Sequence, residues 1–209
     1  MSGPSKNPSY KLYYFNSRAL AEPIRYLFAY GGISYEDVRV EREDWSKVKP
    51  TMPMGQMPVL EIDGKQVHQS IAISRYLAKQ LGLTGANDWE NLQIDSAVDT
   101  INDLRKFMAA AHFETDQAIK QKKKEILINE TVPFYLSKLE ELANDNNGHL
   151  AASKLTWADV YFVSMIELFK VWTGPELLAN YPNLTKTIEN FQNLDVIRGW
   201  IERRPVSEM

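Results

Sequence analysis

The chain has 209 residues and a formal net charge of -3, with 44% of its residues hydrophobic and 24% charged. These proportions are typical of a globular protein and argue against a disordered or fibrous chain. Because there is no excess of positive charge, nucleic acid is a poor candidate partner.

No apolar run approaches the roughly 18 residues that a membrane helix needs, and the first nine residues lack the apolar stretch of a secretory signal. We therefore expect a cytoplasmic protein that does not bind membranes. The absence of cysteine excludes disulfides, thiolate metal sites and a catalytic thiol of the protein's own. His68, His112 and His149 are scattered without ligand spacing, so we expect no metal site.

The chain begins with a strand, a helix and a second strand. Residues 11–15 are β-prone, and Glu22-Pro23 opens an apolar helical run that Gly31-Gly32 ends. Residues 34–40 alternate apolar and polar side chains and predict the second strand. The proline-rich and glycine-containing segment after this strand reads as a loop.

A hairpin and a helix complete the first part of the chain. Asp63-Gly64 joins the β-prone segments 58–62 and 65–68, because glycine accepts the positive φ of a tight turn. Ser70 is then placed to cap a helix that runs to Gly82. Residues 1–82 thus form a small α/β domain.

From Asp88 onward the spacing of apolar residues is helical and breakers are few. The pattern predicts an all-α second domain over residues 83–209. After the helix that starts at Asp88, further helices are expected at 116–144, 157–172 and 184–203.

The order of elements in the first domain resembles the thioredoxin-like unit. Such units commonly carry a Cys-x-x-Cys pair after the first strand, whereas this chain has Tyr14-Phe-Asn-Ser17 there. A domain of this type without a sulfur nucleophile makes sense if the thiol arrives as a ligand. Tyr14 lies near the strand end, where it can meet that thiol, and this reasoning points to glutathione.

Six stretches of sequence together are similar to the sigma class of glutathione transferases, and the resemblance covers nearly the whole chain. The stretches are Tyr10–Asn16, Ala21–Glu22, Asp44–Trp45, Gly55–Glu61, His68–Leu77 and Leu155–Asp159. The resemblance implies a thioredoxin-like domain followed by an all-α domain, with glutathione as co-substrate. It also implies a homodimer that joins glutathione to electrophilic, largely apolar small molecules, with reduction of lipid hydroperoxides as a related activity.

By resemblance, Tyr14 and Arg18 are the catalytic residues. The Tyr14 hydroxyl would donate a hydrogen bond to the glutathione sulfur, and the Arg18 charge would favour the thiolate. A hydrogen bond to a charged group contributes about 1.5–3 kcal/mol, which corresponds to roughly one to two pKa units. From periodicity alone, packing is the better interpretation for Tyr14, and a surface position is as good an interpretation as a catalytic one for Arg18; the combined motifs favour the catalytic role of Tyr14.

The same resemblance assigns the glutathione contacts. The γ-glutamyl carboxylate would lie at Gln69-Ser70, at a helix N-terminus, and the cysteinyl backbone would pair with Met57 before the cis-proline Pro58. Trp45 and Lys49 would contact the glycine end of the tripeptide, and Gln56, at a position where a lysine is common, would add a further contact. Asp103 would reach the glutathione bound to the other subunit.

The electrophile is expected in a groove between the two domains. Its candidate lining residues are Phe15, Phe107, Met108, Ala111, Tyr161 and Met209. Individually such residues are more often core than pocket. Thr156 and Asp159 form a capping box that we assign to folding.

Two alternatives remain open at this point. The first is a glutathione-dependent isomerase of the prostaglandin D synthase type, but Leu20 stands where those members have an arginine, and Ala110 replaces an expected large residue. Asn102 likewise replaces an acidic residue of that branch, so its metal sensitivity is not expected here. The second is a crystallin-like carrier without turnover, which the intact Tyr14 and Lys49 disfavour.

Overall fold

The computed structural model describes residues 8–207. The chain divides into two compact units. The first contains the described parts of Met1–Gly82 and of Val196–Met209, and the second is Leu83–Asp195. The sequence pattern assigns residues 83–209 to the helical domain, whereas the structure groups the described residues from Val196 onward with the first unit.

A four-stranded mixed sheet forms the centre of the first unit, in the order β2-β1-β3-β4. Strand β1 spans Tyr10–Phe15, β2 Glu36–Val40, β3 Val59–Ile62 and β4 Lys65–His68. Strand β1 pairs parallel with β2 and antiparallel with β3. A parallel pair needs a crossover connection, which helix α1 at Glu22–Tyr30 supplies.

Burial alternates along β1, as expected for a strand with one face against the core. Tyr10, Leu12 and Tyr14 are buried, whereas Tyr13 and Phe15 are half-buried. The period of two therefore sends Tyr13 and Tyr14 to opposite faces of the sheet.

The predicted hairpin turn between β3 and β4 is confirmed. Asp63 and Gly64 have φ values of 49° and 77°, so both central residues of the turn have positive φ.

Helix α3 spans Ser70–Gln80, and its N-cap differs from the expectation. The N-cap is Gln69, which forms no side-chain capping hydrogen bond. Ser70 already has a helical position and cannot serve as the half-in flanking residue. Helix α2, at Trp45–Val48, and short 3₁₀ turns at Arg42–Asp44 and Lys49–Thr51 occupy the segment predicted to be a loop.

The second unit is helical. Its elements are α4 at Asp88–His112, α5 at Gln117–Ile126, a π-helical turn at Leu127–Thr131, α6 at Val132–Asp145, α7 at Trp157–Thr173, α8 at Pro182–Gln192 and the first residue of α9 at Asp195–Arg203. Helix α7 packs against α4 and α8, and Phe162 and Phe169 are fully buried.

Two sequence-based helix predictions need correction. The single helix expected at 116–144 is divided by the π-helical turn, and the one expected at 184–203 is two helices that meet near Asn193. Pro133 follows the π-helical turn directly, in the first turn of α6, and is a local signal for the first break. The break near Asn193 contains neither glycine nor proline, so the apolar pattern alone could not locate it. None of the helices in the described part of the chain is long and apolar enough to cross a membrane.

The predicted capping box is present at the start of α7. The two carboxylate oxygens of the fully buried Asp159 accept the backbone N–H groups of Thr156 and Leu150, both at 2.8 Å. The box therefore ties the loop before α7 to its first turn.

A buried carboxylate connects α1 with the C-terminal helix inside the first unit. Glu22 is fully buried, and its Oε1 accepts hydrogen bonds from Trp200 Nε1 at 2.9 Å and Arg204 Nη1 at 3.0 Å. Arg25 Nη1 lies 3.3 Å from the other oxygen. A buried charge needs such partners, so the network fixes the segment from Trp200 to Arg204 against α1.

Candidate functional site

Tyr14 lies near the end of β1 with its side chain on the buried face. Its hydroxyl oxygen accepts a hydrogen bond from the backbone N–H of Leu20 at 3.3 Å. A phenol that accepts this bond can still donate its own proton, since one hydroxyl has a donor and two acceptor sites. The bond also fixes the position of the phenol oxygen relative to the 3₁₀ turn at Ala19–Ala21.

Aromatic rings extend from Tyr14 toward α2. The Phe15 ring lies 5.8 Å from that of Tyr14 and 5.3 Å from that of Trp45. The guanidinium of Arg42 lies 5.5 Å from the Phe15 ring centroid. The structure thus brings Tyr14, Phe15 and Trp45 together, whereas sequence reasoning missed Arg42.

A cleft of about 440 Å³ opens at the carboxyl ends of β1 and β2. Its lining residues are Phe15, Asn16, Ser17, Val40, Glu41, Arg42, Glu43, Val206 and Ser207. Ligands of open α/β sheets commonly bind beyond the carboxyl ends of the strands. The cleft borders Phe15 directly.

Arg18 is half-buried and directly precedes the 3₁₀ turn. Its carbonyl oxygen accepts the N–H groups of Ala21 and Glu22, at 3.1 and 3.0 Å. The backbone of Arg18 therefore helps to form the connection between the end of β1 and α1.

The Met57-Pro58 peptide bond is cis, as the family resemblance implies. Met57 is half-buried, Pro58 is buried, and the neighbouring Gln56 is exposed. Pro58 directly precedes β3, so the backbone of Met57 lies at the start of that strand.

Lys49 is exposed, and its aliphatic stem passes close to Gly55. A Cβ atom added at Gly55 would lie 3.4 Å from Lys49 Cε. Gly55 also has a φ of 59°, which glycine adopts readily.

Gln69 has φ 75° and ψ 101°, a conformation that non-glycine residues rarely adopt. It precedes the first turn of α3, whose first N–H groups have no partner within the helix. Ser70 is 8% exposed and follows at the first helical position. Strained backbone of this kind is concentrated at functional sites.

In the helical unit, Tyr161 lies in a polar cluster with Asn102 and Arg105. The Tyr161 hydroxyl donates to Asn102 Oδ1 at 3.4 Å, and Arg105 Nε donates to the same oxygen at 2.9 Å. Burial raises the pKa of Tyr161 to about 12, although the charge of Arg105 acts in the opposite direction. Sequence reasoning found Tyr161 but missed Arg105, which has no motif of its own.

The other predicted residues of this unit lie on different faces of α4. Asp103 is exposed and forms an ion pair with Lys106 at 2.9 Å. Phe107 is 52% exposed, and its ring lies 6.0 Å from that of Tyr135. Met108 and Ala111 are buried and line a separate cavity in the helical unit. Met209 lies outside the described residues.

Comparison with known proteins identifies the family. A model of the glutathione S-transferase N-terminal domain matches residues 8–79, and a model of the C-terminal domain matches residues 102–204. The chain belongs to the glutathione transferase family.

Individual relatives agree with this assignment. Glutathione S-transferase S1 of Drosophila melanogaster is 56% identical over 201 residues, which are 96% of this chain and 81% of the relative. A glutathione S-transferase of Anopheles gambiae is 52% identical over 202 residues, 97% of this chain and 100% of the relative. The structure of prostaglandin synthase D of Nilaparvata lugens superposes with a TM-score of 0.92 and 47% identity, covering 96% and 100% of the two chains.

The expected family, fold and enzyme type are therefore confirmed. The chain is a sigma-class-like glutathione transferase with a thioredoxin-like unit and a helical unit, and its family uses glutathione as co-substrate. Within residues 8–207, no group of three or more histidine, aspartate and glutamate side chains could hold a metal ion.

Proposed function

We propose that Tyr14 activates the thiol of bound glutathione and that the enzyme transfers the resulting thiolate to electrophilic, largely apolar small molecules. The observation that carries this proposal is the hydrogen bond from the Leu20 N–H to the Tyr14 oxygen at 3.3 Å. It fixes a buried phenol in a protein that has no cysteine.

A hydrogen bond to a charged acceptor is stronger than one to the neutral form, and this difference explains how Tyr14 would activate the thiol. A thiolate accepts a stronger bond from the phenol than a thiol does, so the bond lowers the thiol pKa. The N–H of Leu20 withdraws electron density from the phenol oxygen and makes its proton a better donor. We assign Arg18 the supporting role of a nearby positive charge.

We also propose a glutathione cradle along the edge of the α/β unit. The N-terminus of α3, with Gln69 and Ser70, would hold the γ-glutamyl carboxylate, because its free N–H groups and the helix dipole favour an anion. The backbone of Met57 before Pro58 would pair with the cysteinyl residue. The glycine carboxylate would meet Trp45 and Lys49, with a contact from Gln56.

For the electrophile, we propose contacts with Phe15, Phe107 and Tyr161. We also propose a contact with Met209, which lies outside the described residues. A raised pKa keeps the Tyr161 hydroxyl protonated at neutral pH. Its single proton, which is donated to Asn102 Oδ1 in the structure, would turn to the carbonyl oxygen of a bound unsaturated carbonyl compound. Lipid hydroperoxides are a second class of electrophile that we propose.

We further propose that the enzyme is a cytoplasmic homodimer. Asp103 would reach the γ-glutamyl amine of glutathione in the other subunit. Its exposed position on α4 is compatible with this role, and its ion pair with Lys106 would compete with the ligand.

The function is tested by comparing Tyr14→Phe with Tyr13→Phe. Tyr13 is the matched control, because it lies on the opposite face of β1 and its hydroxyl donates to Glu61 at 3.3 Å. We expect Tyr14→Phe to lower kcat/KM for an aryl halide by about 10–100-fold, the equivalent of one hydrogen bond to a charged group. The thiol pKa seen in the pH–rate profile should rise by about one to two units.

The Tyr13→Phe enzyme should retain its turnover and thiol pKa. Unchanged turnover in Tyr14→Phe would show that this phenol does not activate the thiol. Glutathione binding without turnover of a broad electrophile panel by the unaltered protein would instead favour the carrier hypothesis.

A prostaglandin D synthase-type isomerase is the second candidate, favoured by the similarity to the Nilaparvata lugens structure. Leu20 lies where members with that activity have an arginine, so we rank it lower. Selective formation of a D-type product from prostaglandin H₂ would reverse this ranking.

A further inference from the structure

The helical unit contains a cavity of about 80 Å³ bounded by the end of α4, by α5, by the π-helical turn and by the end of α7. Its floor is apolar and is formed by Met108, Ala111 and Leu127, each exposed by 6% or less. One wall consists of the rings of His112 and Trp172, which stack with their centroids 5.0 Å apart. The cavity is therefore suited to a small apolar group.

Two lysines complete the lining, and they differ in their partners. Lys120 Nζ donates to the carbonyl oxygen of His112 at 2.8 Å. The side chain of Lys124, one turn further along α5, has no hydrogen-bond or ion-pair partner among residues 8–207, although its carbonyl oxygen accepts the Leu127 N–H. The neighbouring Lys123 is paired with Glu114, and no acidic side chain of the described chain lines the cavity. The mouth is therefore cationic.

Two further features point to a ligand. The indole Nε1 of Trp172 is buried and has no acceptor among the described residues, and a buried N–H without an acceptor is costly. The lining residues Leu127 and Ile128 belong to the π-helical turn, and such turns occur frequently at functional sites. The cavity thus combines an apolar floor with a cationic mouth.

We propose that this cavity binds a short-chain monocarboxylic acid, with the alkyl chain on the Met108–Ala111 floor and the carboxylate at Lys124. An apolar cavity of about 150 Å³ holds benzene, so about half that volume fits a chain of roughly four carbon atoms. The site goes beyond the proposed function, because it is lined by none of the residues proposed to contact glutathione and by none of Phe15, Phe107 and Tyr161. Met108 and Ala111, which the sequence pattern places in the electrophile groove, line this cavity of the helical unit.

His112 provides a readout that does not depend on activity. Its pKa is lowered, first by burial and second by the positive charge of Lys120. The His112 ring contacts the rings of the neighbouring Phe113 and of Trp172 on α7. The charged residues that line the same cavity are Lys120 and Lys124 of α5. A bound carboxylate would offset the lysine charges and raise the pKa of His112.

The proposal is tested by proton NMR of the full chain with acetate, propanoate, butanoate, pentanoate and hexanoate. The chain has three histidines, and the ring signals of His112 are assigned by their loss in His112→Gln. We expect affinity to rise roughly fourfold per methylene group until the cavity is filled, then to level off. The pKa of His112 should rise with pentanoate and not with butylamine, which has the wrong charge.

Two lysine variants test the position of the carboxylate. Lys124→Gln should weaken pentanoate binding by about tenfold or more, as expected for the loss of a charge-assisted hydrogen bond. Lys122→Gln is the matched control, since Lys122 is an exposed residue of the same helix that does not line the cavity.

Three results would overturn the proposal. They are equal binding of acetate and pentanoate, equal losses in the two lysine variants, and competition of pentanoate with glutathione or with the electrophile during turnover. The last result would place the carboxylate in the reaction site. The binding measurements do not depend on the role of Tyr14, so they keep their meaning even if Tyr14→Phe fails to lower turnover.

Discussion

At the scale of single residues, Gln69 has a strained backbone conformation within the proposed glutathione cradle. Its φ of 75° and ψ of 101° lie in a region that side chains disfavour, at a cost of about 1–3 kcal/mol. Asp63 also has positive φ, but it lies in a hairpin turn that requires it. No such turn accounts for Gln69, which makes a binding role the better explanation.

Replacing Gln69 by glycine should therefore stabilise the protein and impair binding. Glycine relieves the strain but adds freedom to the unfolded chain, so the net gain is expected to be about 1 kcal/mol. The KM for glutathione should rise because the side chain is lost from the cradle. Urea unfolding and steady-state kinetics measure the two effects separately.

Ala152→Gly is the control for that experiment. Ala152 has a φ of 56° and belongs to the helical unit, outside the proposed cradle. Its replacement should change stability without changing the KM for glutathione. If Gln69→Gly lowered stability, or left the KM unaltered, the strain would have no connection with binding.

At the scale of elements, the loop before α4 requires glycine at position 85. The reason is a lack of room for a Cβ atom and not a positive φ. Gly85 N donates to Asn91 Oδ1 at 2.9 Å, which holds the preceding loop against the first turn of the helix. A Cβ atom at Gly85 would lie 2.5 Å from Glu90 Cβ and 2.7 Å from Asn91 N. Backbone atoms cannot yield as a flexible side chain can.

Gly85→Ala and Gly199→Ala should consequently have opposite effects on stability. The first is expected to cost about 1–3 kcal/mol through overpacking. Gly199 lies inside α9, where an added Cβ would approach only the flexible end of Arg203 at 3.3 Å, so alanine should stabilise by up to about 1 kcal/mol. Thermal and urea unfolding of both variants check the signs, and a loss of stability in Gly199→Ala would contradict this explanation.

The elements that the sequence predicted well are those with local signals. The hairpin at Asp63-Gly64 and the capping box at Thr156 were readable because turn and cap chemistry act over four residues or fewer. The break at the π-helical turn was missed because the proline signal at Pro133 was not used, and the break at Asn193 was missed because it contains neither glycine nor proline. The N-cap at Gln69 was misplaced because a strained residue has no compositional signature.

The candidate site was predictable to a similar extent. Tyr14 is proposed from its place near the end of the first strand and from the missing cysteines, together with the family resemblance. Arg105, Arg42 and the cavity beside Trp172 were not predicted, because they depend on which helix faces pack together. Sequence spacing within one helix does not contain that information.

At the scale of the whole chain, the described residues from Val196 onward belong to the α/β unit, although they follow the helical unit in sequence. The contact that holds them is long-range: Trp200 Nε1 reaches Glu22 across 178 positions. No local pattern could reveal this pairing. Because Glu22 is fully buried, each donor that it loses leaves a charge with less compensation.

Trp200→Phe should loosen this end of the chain. Loss of a buried hydrogen bond to a carboxylate is expected to reduce the free energy of unfolding by about 1.5–3 kcal/mol. Trypsin cleavage after Arg203 should become faster, because α9 is then held by fewer contacts. Trp89→Phe is the matched control, since Trp89 is 66% exposed and should tolerate the change. A loss of stability without faster cleavage after Arg203 would mean that the damage lies elsewhere in the fold, and that Glu22 keeps the C-terminal helix in place through its arginine partners alone.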